Sequence, residues 1–381
     1  MRGTLRKILL ALLALGALAA LAYHSRRKIH LGDFTWSRFI HTVSQANVWL
    51  LLLTFIAIYV CYALRTLRWQ RLSRYLGPTT FVDVYSATVM GFASIFILGR
   101  AGEPIRPLLL ARKSHLPVAH MFGVWVLERI TDFAAAVALA ALSLLVFAGT
   151  LADAGVNTDW VDHARTGGWV LLGTLAAILV FVVYFRLHGA GVLERRLTHW
   201  HRAGGLKGWI ASIVAGFSEG LQAIRTPSDL LMAVVYTAAH WGLVALAYLW
   251  TTQAFASAFV HSEMNFPGAM LLLAVTLVGS ALQLPGVGGG AQVASFIALT
   301  TIFGVEQEPA AAIAIVLWLV TFAASVVVGV PLLIHEGLSM GELRNLARAE
   351  ATAEETGDHV SLTGVAGGRP GGRRGAGGNA D

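Results

Sequence analysis

Leu98-Gly99-Arg100-Ala101-Gly102-Glu103-Pro104-Ile105-Arg106-Pro107 cuts an apolar run with three charges, two glycines and two prolines. Glycine frees the backbone, and proline removes a donor and clashes with the preceding turn, so a regular helix does not run through this stretch. A second break, Leu284-Pro285-Gly286-Val287-Gly288-Gly289-Gly290-Ala291-Gln292, interrupts the second half in the same way. At membrane depth such breaks are tolerated only where they are buried in protein or line a cavity. Both therefore read as tips of helical hairpins that face a shared site.

Working outward, 56% of the 381 residues are hydrophobic and only 13% are charged, against about 25% charged in soluble domains. The composition is that of an all-α polytopic membrane protein. A net charge of +7 raises the question of nucleic acid. Its Lys and Arg residues, however, sit in short segments between apolar runs, the pattern of cytoplasmic membrane loops, and this excludes a nucleic-acid partner. The single cysteine, Cys61, allows neither an intrachain disulfide nor a cysteine-based metal site, and it reads as a small core hydrophobe.

Ile8–Ala22 is an apolar run behind Arg2, Arg6 and Lys7, either a signal peptide or a first transmembrane helix. Spans follow at 47–64, 118–149, 168–185, 229–255 and 309–334, and the segments 81–113 and 266–303 carry the breaks. Basic loops at 65–80, 112–113 and 186–225 alternate with acidic ones at 150–165, 256–265 and 306–308. With basic loops inside, each broken segment must enter and leave by one face, as a re-entrant hairpin. The expected architecture is about six full transmembrane helices plus two re-entrant hairpins, in two units of one plan and opposite orientation, with both termini cytoplasmic. Broken helices in inverted repeats are a recurring transporter design, with the substrate at the repeat interface. In domain terms, 1–46 holds the first helix and an outer linker, 47–335 the membrane domain, and 336–381 a disordered cytoplasmic tail, Gly-rich from 364 onward. Ile210, Ile213, Val214, Phe217, Leu221 and Ile224 share one helical face and predict a surface-lying amphipathic helix.

The charges inside apolar runs are the candidate site. Glu128 and Asp132 lie i, i+4 on one face, with Arg129 about 100° round the helix. Each unpaired charge at depth costs roughly 2.5–3.5 kcal/mol on insertion scales. Either the three pair with Arg100, Glu103 or Arg106, or the hydrophobic span starts at Phe133 and leaves them at the headgroups. Arg65, Arg68, Arg71 and Arg74 form an i, i+3 stripe that reads as a topology determinant at the headgroups, the other reading being a specific lipid site. His240 reads as a hydrogen-bonded core residue in preference to a proton carrier.

Gly99-Arg100-Ala101-Gly102-Glu103-Pro104 with Arg106, Glu128-Arg129-Ile130-x-Asp132, Phe217-x-Glu219-Gly220-Leu221 and the Pro285-Gly286 break together resemble the lysylphosphatidylglycerol synthase transmembrane region. The resemblance runs from about residue 47 to 335. That family contains the flippase domain of the bacterial multiple peptide resistance factor and many stand-alone flippase-like proteins. It implies movement of a phospholipid or related lipid across the bacterial cytoplasmic membrane, without the aminoacyl-transferase domain of the larger relatives. The family's second break usually ends in a glutamate, where this chain has Gln292. A charge at that tip is thereby lost, though Gly286, Gly288, Gly289 and Gly290 still permit close backbone approach to a headgroup.

The site expected on these grounds comprises Arg100, Glu103, Arg106, Glu128, Arg129 and Asp132 with Pro285, Gly286, Gly288, Gly289, Gly290 and Gln292. The arginines suit phosphate, and membrane lipids with an anionic headgroup are the expected partner. No catalytic residue, cofactor or metal is expected. Two rival readings are a regulatory membrane subunit, with the charges as assembly contacts, and a membrane enzyme acting on lipid-linked substrates.

Overall fold

Asn47 starts the first long helix where the polar chain meets an apolar run, its side chain accepting from the backbone N–H groups of Trp49 and Leu50 at 3.0 and 3.3 Å. Thr80, Thr226 and Asn265 cap later helices in the same manner. These oxygens satisfy donors that a helix start leaves open. The computed structural model describes residues 34–114, 116, 118–153, 158–188, 226–259, 264–280, 283–284 and 288–337. The expected helix at 8–22, the amphipathic helix over 210–224 and the Gly-rich tail lie outside the described residues.

Chain order gives α1 (Trp36–Ser44), α2 (Val48–Ser73), α3 (Phe81–Leu98), a 3-10 turn (Gly99–Gly102), α4 (Ile105–Ser114), α5 (Val118–Asp153), α6 (Thr158–His188) and α7 (Pro227–Gln253). Then come α8 (Phe266–Gly279), α9 (Gly290–Thr301), α10 (Gln307–Trp318), a π turn (Leu319–Ala323) and α11 (Ala324–His335). Among the described residues six stretches are long and apolar enough to cross a bilayer: Val48–Ser73, Phe81–Gly102, His120–Val146, Val161–Val180, Pro227–Gln253 and Gln307–His335. The protein is thus a multi-pass, all-α membrane protein. Leu52, Leu53, Ile56, Val60, Phe133, Leu231 and Val327 face outward along these helices, as a lipid-facing surface requires.

Both broken segments fold back. In the first, α3 has 18 residues and spans about 27 Å, long enough to cross by itself, yet the chain reverses at Gly99–Gly102. Its return arm α4 lies against it, with Lys113 3.9 Å from Asp83 at the open end. In the second, α8 and α9 are joined side by side by Thr276 and Ser295, whose hydroxyls are 2.8 Å apart. Its tip is closed by an antiparallel pairing of Gln283 with Gly289 and of Leu284 with Gly288. Gly289 sits at φ +113°, where glycine is favoured.

Each hairpin packs on the helices before and after it and also reaches across to the other half. Hairpin α3–α4 packs on α11, hairpin α8–α9 packs on α5, and α2 packs along α7. One core therefore forms around Trp69, Met90, Ile105, Leu110 and Leu333, and the other around Tyr248, Leu272, Leu299 and Ile313. The ends agree with the alternation of charge along the sequence. At one end Arg71 and Arg74 meet Asp229 at 3.0 and 2.8 Å, and Lys113 meets Glu336 at 2.5 Å. At the other, Arg38 meets Glu306 at 3.2 Å and Asn47 N–H donates to the Ala254 carbonyl at 2.9 Å. A π turn in the last span packs on α2 and α3, Phe96 of α3 stacking on Trp318 beside it and Tyr59 of α2 donating to the Ala324 carbonyl at 2.8 Å.

Candidate functional site

Four helices supply one buried cluster through side chains three and four residues apart, the spacing that shares a helix face. From α2 come Arg65, Arg68 and Trp69, from α5 Glu128 and Asp132, from α7 Thr237 and His240, and from the first turn of α4 Arg106. Arg65 Nη1 lies 2.8 Å from both Glu128 Oε1 and Asp132 Oδ2. Arg68 is 2.8 Å from each acid and donates to Thr237 Oγ1 at 2.8 Å. Trp69 Nε1 donates to Glu128 Oε2 at 2.6 Å, and Arg106 pairs with the same carboxylate. Glu128 is completely buried. The Arg106 guanidinium also lies over the Trp69 ring and that of Arg65 over Phe92, 4.8 and 5.2 Å from the ring centroids, which suits cation–π attraction. Gly91 makes room for Arg106, because a Cβ there would stand 2.7 Å from the arginine's own Cβ.

Counting charge defines what the cluster can hold. Arg65, Arg68, Arg106 and Arg129 pair within 4 Å with Glu128 and Asp132 alone, and Glu103 stands further off beside Arg129, so positive charge is in excess. Arg129 donates to Asp132 at 3.2 Å and remains 35% exposed at its side chain. The buried Nε groups of Arg68 and Arg129 have no hydrogen-bond partner among the described residues. Surplus positive charge with spare donors, away from water, has the chemistry that suits an anion. A cleft lined by Gly91, Phe92, Ile95, Glu103, Arg106, Trp125 and Arg129 leads to it. Its interior room of about 10 Å³ is close to that of one water molecule, so the first hairpin stands closed over the arginines.

The structure brings Arg106, Glu128, Arg129 and Asp132 together as expected and puts Glu103 at the cleft mouth. Glu128 and Asp132 point into the bundle, while Phe133 faces outward. Arg100 is elsewhere. Its side chain is 57% exposed, 3.9 Å from Glu103, and donates to the Ser280 carbonyl at 3.1 Å, so the two hairpin tips touch. Pro285 and Gly286 lie outside the described residues. Gly288 and Gly289 belong to the tip pairing and Gly290 begins α9. Gln292 Oε1 accepts from Gly289 N–H at 2.6 Å, so its amide fastens the helix start, a task that needs an oxygen but no charge.

Arg65 and Arg68 correct the reading of the basic stripe. Only Arg71 and Arg74 lie at the helix end, on Asp229, whereas Arg65 and Arg68 are the acids' main partners. Two buried carboxylates that must satisfy Arg106 and Arg129 leave room for further guanidiniums, and Arg65 directly follows an apolar run; these were the available signals. His240 is hydrogen-bonded in the core as expected, accepting from Arg65 Nε at 3.2 Å.

A family model described as Lysylphosphatidylglycerol synthase TM region matches residues 7–329, most of the chain. No curated protein matches it.

Proposed function

We propose that this chain, which belongs to the lysylphosphatidylglycerol synthase TM region family, moves an anionic phospholipid or polyprenyl-linked lipid between the leaflets of the bacterial cytoplasmic membrane without altering it chemically. The observation that carries this reading is the buried arginine excess at the inner end of a cleft between the first hairpin and α5. A headgroup must cross about 30 Å of hydrocarbon. Two hairpins that enter from opposite ends and touch at their tips divide that distance, while acyl chains remain in the bilayer beside the open cleft mouth. Arg129 and Glu103 at the mouth meet the phosphate first, and Arg106 receives it once α4 shifts away from α5. Arginine's forked donors match phosphate oxygens in pairs. Release follows because Glu128 competes for the same guanidiniums, which keeps binding moderate.

The test uses vesicles carrying a labelled phosphatidylglycerol in one leaflet. The wild-type protein should speed its loss from that leaflet. Arg129→Ala should slow exchange about tenfold or more, as expected for a lost charged contact of about 1.5–3 kcal/mol. Rates equal to those of protein-free vesicles, across several anionic phospholipids and a polyprenyl phosphate, would favour a regulatory subunit. A changed lipid mass would favour an enzyme.

A further inference from the structure

We infer that His240 takes up one proton when a phosphodiester headgroup enters the arginine cluster, so that the protein carries a proton together with its lipid. This rests on the translocator reading above and adds an ion to it. His240 lies in the middle of α7, 5% exposed, and its ring edge meets Trp241. A guanidinium N–H can only donate. The 3.2 Å contact from Arg65 Nε therefore requires a lone pair on His240 Nε2, which makes the imidazole neutral with its proton on Nδ1. That Nδ1 is buried and has no hydrogen-bond partner among the described residues. A structural histidine buried in apolar surroundings ordinarily satisfies both nitrogens; this one keeps one nitrogen against an arginine and the other unused.

The groups around the ring explain why it is neutral and what would change that. From α2 it faces Arg65 and Arg68, and the Cys61 thiol donates to its backbone carbonyl. From α5 come Glu128, Arg129 and Asp132, from α4 Arg106, and from its own helix Thr237. Of the other two helices packed on α7, α8 holds no charged residue and α10 only Glu308, at its far end beside Arg38. The empty cluster already carries positive charge in excess, and a further one on the ring would be uncompensated. A phosphodiester brings one negative charge. One proton added with it leaves the buried excess unchanged, so anion and proton favour each other's entry and exit as a pair.

Arg65 supplies the link between the two events. Its Nε–H occupies the lone pair that a proton would need, so the bond to His240 and a protonated His240 exclude each other. When a phosphate oxygen accepts from Arg65, the guanidinium leaves Nε2, and the freed lone pair binds a proton from water. The imidazolium then has an N–H on each nitrogen, with Asp132 as the neighbouring acid. On release the steps reverse: the proton returns to water and Arg65 returns to the ring.

The experiment is calorimetric titration of the full chain in detergent with dihexanoyl-phosphatidylglycerol below its micelle concentration. It is run in imidazole and in bis-tris buffers, whose ionisation heats differ and which add no competing anion. Between about pH 5 and 8, where histidine changes charge, the binding heat should differ between buffers by the amount expected for up to about one proton taken up per lipid. His240→Gln, whose amide oxygen still accepts from Arg65, should bind the lipid with no buffer-dependent part. Wild-type binding with identical heats in both buffers overturns the inference and leaves the anion site standing. Uptake that persists in His240→Gln overturns it too. No binding by the wild type sinks the anion site itself and the inference with it.

Discussion

Glu128 accepts from Arg65, Arg68, Arg106 and Trp69 without reaching water. Removing its charge leaves guanidiniums buried with a single remaining acid, and breaking a buried pair on one side costs about 3–5 kcal/mol. Glu128→Gln should therefore lower the thermal unfolding temperature in detergent sharply and reduce yield. Arg129→Ala, at the half-open mouth, should leave that temperature nearly unchanged while still slowing lipid exchange. Arg106→Lys keeps the charge but not the fork, so it should retain most of the stability and lose much of the transport. If Glu128→Gln unfolds like the wild type, the cluster is not what holds α2, α4 and α5 together.

The hairpins are the elements that must move if a headgroup is to enter, since the cleft admits little more than a water. Arg100 of the first tip holds the Ser280 carbonyl at the second, so relative motion has to begin there. Arg100→Cys with Ser280→Cys in a Cys61→Ala background, joined by a short bis-maleimide, should stop lipid exchange. Reacting the single variants with the same reagent should not. Exchange that continues at the wild-type rate in the joined protein would show that the tips stay together throughout transport. Gly91 supplies a second test within the first hairpin. Gly91→Leu has no room beside Arg106, and it should push α4 off α3 and lower stability more than Gly173→Leu on α6, where a Cβ meets nothing within 4 Å.

At the scale of the molecule, the packing of α3 on α11, of α8 on α5 and of α2 on α7 ties the halves together, so they are expected to unfold in one transition. The charge cluster has no counterpart in the second hairpin, whose residues 266–303 carry no charge. It belongs to the first unit and α7, while the second hairpin offers hydroxyls at Thr276 and Ser295 in place of charges. The ends of the bundle give a direct prediction for orientation. In a Cys61→Ala background, Ser44→Cys and His335→Cys should be labelled by a membrane-impermeant maleimide from opposite faces, with His335→Cys reached from the cytoplasmic side. Labelling of both from one face would contradict the arrangement of α2 to α11.

The sequence by itself determined the membrane class, the long apolar helices among the described residues and both hairpins, because apolar runs and the backbone chemistry of glycine and proline act over a few residues; the short helix Trp36–Ser44 and the early start of α6 at Thr158 were not legible in it. It also determined that Glu128 and Asp132 share a face, since that follows from helical spacing alone. Only the tertiary structure decided which arginines those acids meet. Arg65 lies 63 residues from Glu128 and His240 175 from Arg65, and such partners are chosen by how helices cross. An arginine near the end of an apolar run has the same local pattern whether it reaches the headgroups, as Arg71 and Arg74 do at Asp229, or turns into the bundle, as Arg65 and Arg68 do. The difference is made by the acids that the packing of α2 against α5 and α7 sets beside it.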